Sequence, residues 1–239
     1  MAGMEEMPRE LRVVTSRIEL EDVSGRVLFP TPVQGPWLPF LRFADTITSG
    51  AGDDPEGHTH LEEEALNYVI TGRVDYDDET GHRSVLGPGA VELLTAHEET
   101  RHKVMGGAQA PGTRWLSVVV RCPPASGASG HRFQVAPGPP PIPVSKTVEE
   151  RLLVGPDAAV DSGAGLECVD LHFRKDGRCV CPVGAERRAA AYVFEGSGSI
   201  DRLPVEVGVG VLVENLTKIT IQAKSGTRVL VASVPRRPL

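Results

Sequence analysis

Apolar residues along this chain come in short runs of about five to eight, rich in Val, Leu and Ile and bounded by Gly, Pro, Asp or Asn. Examples are RWLSVVVRC (114–122), LECVDLHF (166–173), VGVLVENL (209–216), KITIQA (218–223) and TRVLVASV (227–234). Runs of that length suit strands, because an amphipathic helix needs roughly ten or more residues at helical period. With 26 glycines and 20 prolines, turn formers separate almost every run. The pattern predicts an all-β fold. One short helix is predicted over SKTVEERLL (145–153), where Ser145 or Thr147 can cap and Glu149 and Glu150 fall in the first turn.

The sharpest break in composition is PPASGASGHRFQVAPGPPPIPVS (123–145). A Pro/Gly/Ser cluster of this kind reads as a linker, stiffened by Pro139, Pro140 and Pro141. It divides the 239 residues into an N-terminal domain, 1–122, and a C-terminal domain, 146–239. The two halves resemble each other. NYVITG (67–72) returns as AYVFEG (191–196), an offset of 124, and GPGAVELL (87–94) returns as GVGVLVEN (208–215). A duplicated β-domain is the expectation.

Charge narrows the classes of partner. Twenty-five Lys and Arg against 32 Asp and Glu leave a formal charge of −7, and no basic run offsets it, so nucleic acid is not expected as a direct partner. No run of 18 apolar residues occurs, and the first residues lack the apolar segment of a secretion signal; a cytoplasmic chain that does not span a membrane is expected. Cys122, Cys168, Cys179 and Cys181 are expected as free thiols on or beside strands, since C-x-C without a second pair is not a structural zinc motif.

The candidate chemistry lies in GHTHLEEEALNYVITG (57–72). His58 and His60 stand two apart, on one face of a strand. His102 can supply a third imidazole from another strand. Glu64, four residues after His60, can return alongside the pair if the chain turns tightly. Three His and one Glu form a mixed nitrogen and oxygen set that suits Fe(II), Mn(II), Ni(II) or Zn(II), and not Mg or Ca. Surface histidines in an acidic loop are the plainer alternative. In the second half the matching positions are Pro182, Gly184 and Arg188, so only the first half is expected to hold a metal.

Gly52-x5-His58-x-His60-x3-Glu64-x7-Gly72 resembles the first motif of the cupin superfamily. The extra residue before Gly72, the GPG at 87–89, LTA (94–96), GPWLPFLRF (35–43) and AAAYVFEGSGSI (189–200) together resemble the pirin family. That resemblance implies two cupin β-barrels in tandem, the second degenerate, with one iron-type metal in the first. His58, His60 and His102 fall on the family's histidine positions. The family's glutamate position is Val104 here, which cannot bind metal. Glu64 can supply the carboxylate, or three histidines can hold the ion with an open position, or the barrel is a pocket with little or no metal.

Three functions follow from the resemblance. The first is a metal-dependent oxygenase, quercetinase-like, acting on a small organic substrate, with Glu64 as fourth ligand or as the base. The second is a regulatory protein with a protein partner. The third is a cyclising or tailoring enzyme without O2 chemistry, a reading that Val104 raises. Trp37, Phe40, Phe43, Tyr68 and Trp115 are candidates for either barrel lining or core.

Overall fold

The computed structural model describes residues 10–14, 18–19, 23–30, 35–48, 57–106, 112–122 and 130–236. Gly52 and residues 123–129 of the expected linker lie outside this set. Among the described residues the chain is all strand, in two runs of eleven. The first run is β1 (Glu10–Val14), β2 (Ile18–Glu19), β3 (Val23–Phe29), β4 (Phe40–Thr48), β5 (His58–His60), β6 (Glu63–Thr71), β7 (Val74–Asp78), β8 (Arg83–Leu86), β9 (Val91–Ala96), β10 (Thr100–Gly106) and β11 (Arg114–Arg121). The second is β12 (His131–Ala136), β13 (Ile142–Pro143), β14 (Val148–Val154), β15 (Glu167–Phe173), β16 (Gly177–Pro182), β17 (Arg187–Glu195), β18 (Ser197–Ile200), β19 (Leu203–Glu206), β20 (Gly210–Glu214), β21 (Lys218–Ala223) and β22 (Arg228–Pro235).

Each half pairs a seven-stranded with a four-stranded antiparallel sheet. In the first barrel the orders are β12-β9-β6-β11-β4-β3-β2 and β5-β10-β7-β8; in the second they are β1-β20-β17-β22-β15-β14-β13 and β16-β21-β18-β19. Strand by strand, each position in one barrel is matched eleven strands away in the other, so the duplication covers the whole fold. The first strand of each repeat is exchanged. β1 pairs with β20 of the second barrel, and β12 pairs with β9 of the first.

Three expectations change here. Residues 10–14 extend the C-terminal barrel's sheet rather than the N-terminal domain's. Residues 131–136, expected as linker, form an edge strand of the first barrel. The helix expected at 145–153 is β14, paired with β15. Ser145 does act like a cap, accepting from the Val148 amide through its hydroxyl at 3.1 Å, but it closes a turn that leads into a strand.

The largest core lies between the barrels. Inner-sheet residues of one parity, Leu66, Tyr68, Leu116 and Val118, pack there against Tyr192, Phe194, Leu230 and Ala232. Trp37, Phe40, Phe43 and Tyr68 belong to this core; Trp115 alone of the five aromatics faces the first barrel's interior. The opposite parity faces the two barrel interiors. The second barrel's interior is filled by residues such as Phe173, Ala191, Val211, Ile219 and Val231. The first barrel's interior is only partly apolar, and there the chemistry sits.

Two related polar clusters cross the interface. Tyr68 donates to Asp170 at 2.8 Å, and Arg228 pairs with the same carboxylate and with the Tyr68 hydroxyl at 2.9 Å. Tyr192 donates to Asp45, which Arg114 grips with Nε at 2.8 Å and a terminal nitrogen at 2.7 Å. Burial, with each aspartate close by, pushes both tyrosine hydroxyls well above their usual range. The close turn before these clusters is also repeated. Gly72 and Gly196 both have φ of +78°, and a Cβ at either would meet Thr113 or Thr227 Oγ1 at 2.3 or 2.5 Å. Only glycine fits such a site.

Candidate metal centre

β5 and β10 run antiparallel with His58 opposite His102 and His60 opposite Thr100. His58 and His60 share a face through the two-residue period, so all three rings converge. Gly57 lets the strands close: its φ is +74°, and a Cβ there would lie 2.5 Å from the His102 carbonyl oxygen. His58 is at the exposed rim, while His60 and His102 are buried. The Nε2 atoms of His60 and His102 are 3.0 Å apart, and those of His102 and His58 are 2.9 Å apart.

That spacing can be tested against an ion. Two nitrogens each about 2.1 Å from one metal lie about 3.0 Å apart at a right angle and about 3.4 Å apart at a tetrahedral angle. Both of these separations match the right-angled value, and the ligand nitrogens of all three histidines lie within 4.8 Å of one another. His60 Nδ1 is 2.6 Å from Glu63 Oε2, so the ring donates there and turns its Nε2 lone pair inward. Burial, reinforced by the two neighbouring imidazoles, lowers the His102 pKa to about 2, which keeps that ring neutral and its lone pair available. Three converging imidazoles fit a borderline transition metal and do not fit Mg or Ca. These three are the one group of metal-binding type that converges in this way among the described residues.

Glu64 is not with them. It lies on the opposite face of β6, fully buried between the barrels. Thr95 Oγ1 donates to its Oε1 at 2.9 Å, the Gly163 amide donates to the same oxygen at 2.7 Å, and the Ser162 hydroxyl donates to Oε2. The reason is a change of parity. Counting along one continuous strand puts His60 and Glu64 on one face, but β5 ends at His60 and β6 begins at Glu63, with Glu62 between them at φ +54°. Glu63 takes the inward position instead. Arg188, which occupies the Glu64 position of the second barrel, also faces the interface, pairing with Glu214 at 2.8 Å and stacking over Trp37.

The rest of the first barrel's interior surrounds the histidines. The Tyr76 ring lies 5.1 Å from His102 and 4.4 Å from Phe133. Val104, two residues beyond His102 on the same face, packs with Val69, Val74, Tyr76 and Trp115, so the family's carboxylate position is filled with apolar packing. Glu92 was not singled out by sequence reasoning. It is fully buried, and its carboxyl is pushed up to about 8 by burial, against the pull of the Asn67 amide and with help from the Asp78 charge. Its signal in the sequence is a lone charged residue inside a mostly apolar strand, VELLTA.

Residues 38–116 match the family model described as Pirin. Over that segment the chain is similar to the pirin family. Among relatives, a quercetin 2,3-dioxygenase of Escherichia coli K12 is 24% identical over 203 residues, covering 80% of each chain. A pirin-like protein of Caulobacter vibrioides is 24% identical over 225 residues, 84% of this chain and 76% of that one. Among solved structures, the bacterial pirin YhhW of E. coli in complex with nickel(II) superposes with a TM-score of 0.78 at 18% identity, covering 96% of this chain and all of that one. A quercetin 2,3-dioxygenase of Acinetobacter baumannii gives 0.80 at 18% identity, covering 94% and 79%. These likenesses establish the fold of two tandem β-barrels, and among the described residues no helix is long and apolar enough to cross a membrane.

Proposed function

We propose that this pirin-like chain is a metal-dependent enzyme that acts on a small organic substrate in its N-terminal barrel, with quercetin 2,3-dioxygenase-like oxygenation as the reaction. The observation that carries the reading is the convergence of three imidazoles, with His102 Nε2 3.0 Å from that of His60 and 2.9 Å from that of His58. Its relatives named quercetin 2,3-dioxygenase support the substrate class. His58, His60 and His102 hold the metal, Fe(II) in the working enzyme. When bound, the ion supplies Lewis acidity toward a substrate oxygen and a one-electron couple for O2. Glu63 fixes the His60 tautomer. Tyr76, Phe133 and Val104 wall the site with apolar surface and limit water. Glu64 is a strut between the barrels and neither ligand nor base.

Val104 favours a second reading, a cyclising or tailoring enzyme that uses the barrel, with little or no metal, without O2 chemistry. Anaerobically Fe(II)-loaded protein, mixed with quercetin and then with air, separates the two. Oxygenation requires O2 uptake with loss of the flavonol absorbance, abolished in His102→Ala. Little or no bound metal together with no O2 uptake moves the assignment to the second reading.

A further inference from the structure

Ser117 on β11, Asn67 on β6 and Glu92 on β9 are direct cross-strand neighbours in one row of the large sheet. Their flanking residues Leu116, Val118, Leu66, Tyr68, Val91 and Leu93 face the inter-barrel core, so the row faces the first barrel's interior. The row is a directed chain. Ser117 Oγ donates to Asn67 Oδ1 at 2.6 Å, which fixes the amide so that its nitrogen points at Glu92 Oε1, 3.5 Å away. Glu92 Oε2 is buried and has no hydrogen-bond partner among the described residues. Ser117 retains accessible surface at the other end of the row.

The second barrel is an internal control. Its matching row, read from the equivalent ladders, is Val231, Ala191 and Val211. All three are buried in an apolar cluster. The fold therefore does not need polar groups here. His102 and Tyr76 are likewise matched by Ile219 and Ile200, so the polar row and the histidines occur in the same barrel and are both absent from the other.

We propose that Glu92, positioned by Asn67 and Ser117, is a second substrate anchor in the N-terminal barrel, donating a hydrogen bond through Oε2 to a carbonyl or ether oxygen of a small aromatic substrate. The proposal rests on the reading of that barrel as a small-molecule site and adds a second recognition pole to the histidines. A carboxyl that is neutral up to about pH 8 is a donor at neutral pH. The groups that act on it are Asp78 and Tyr76 from β7 and Asn67 from β6, and β12 places Val135 opposite it in register. An unmatched buried donor is unfavourable, and an oxygen acceptor from a ligand relieves it.

The test uses the full chain, loaded with Ni(II), and two probes of similar shape, acetophenone and ethylbenzene, followed by NMR titration. Wild type should bind the carbonyl probe more tightly, and Glu92→Leu should reduce that preference about three- to tenfold, the range of one neutral hydrogen bond. Glu92→Gln keeps a donor and should retain the preference. Above pH 8 the wild-type preference should collapse while that of Glu92→Gln persists. Absence of acetophenone binding, or an unchanged preference in Glu92→Leu, overturns the proposal. Nickel content, measured on the same samples, reports separately on the histidine site: retained nickel without probe discrimination removes the anchor and leaves the metal reading standing.

Discussion

Replacing Glu64 should loosen the junction between the barrels and leave metal binding unchanged. The side chain is fully buried and accepts from Thr95, Gly163 and Ser162, the last two in the loop between β14 and β15. Alanine removes all three bonds. At about 1 kcal/mol net for each, Glu64→Ala loses about 3 kcal/mol. For a chain of this length 1 kcal/mol corresponds to about 2–4 °C, so Tm falls by about 6–12 °C. Glutamine keeps Oε1 as acceptor and turns an amide toward Ser162 Oγ, which accepts from Leu166 N at 2.8 Å and can take a second donor. Glu64→Gln should therefore lose only about 1 kcal/mol. Scanning calorimetry paired with nickel titration reads both quantities on one sample. A tenfold loss of metal affinity in Glu64→Gln at unchanged Tm would refute the assignment and return Glu64 to the ligand set.

Arg228→Met should lose about 3–5 kcal/mol in denaturant unfolding, because it strands the buried Asp170 carboxylate that Tyr68 and Arg228 share; equal stability would contradict the interface account. Val104→Glu places a carboxylate two residues from His102 on the inward face, and should tighten nickel binding at least tenfold in chelator competition while lowering apo stability. Glu92 titrates higher in the folded chain than unfolded, so the native state holds the extra proton and stability falls as pH rises from about 4.5 to about 8. The ceiling for that loss is about 5 kcal/mol. Glu92→Gln should flatten that stretch of the unfolding-versus-pH curve, and an unchanged slope would show that Glu92 does not titrate there.

The strands, the duplication and the three histidines were legible because each is written in local pattern: short apolar runs, a repeated hexapeptide, and an H-x-H with one more histidine downstream. What was hidden depends on geometry that spacing does not encode. A turn through the left-handed Glu62 does follow His60, but it brings Glu63 rather than Glu64 alongside the histidine. The exchange of β1 and β12 pairs segments distant in sequence, and the Gly/Pro content around 131–136 masked a strand. Ser145 carries the same hydroxyl-to-amide chemistry whether a helix or a strand follows, which is why β14 read as helical. Glu92 shows as one acid in a buried strand, and only the cross-strand row reveals its neighbours.

The central claim is a single transition-metal site made by three histidines. Elemental analysis of protein loaded anaerobically with Fe(II) or Ni(II) and freed of excess ion tests it directly. The account predicts one equivalent per chain in wild type and in Glu64→Gln, and loss of that equivalent in His102→Ala. Two equivalents, retention in His102→Ala, or no metal in wild type would contradict it.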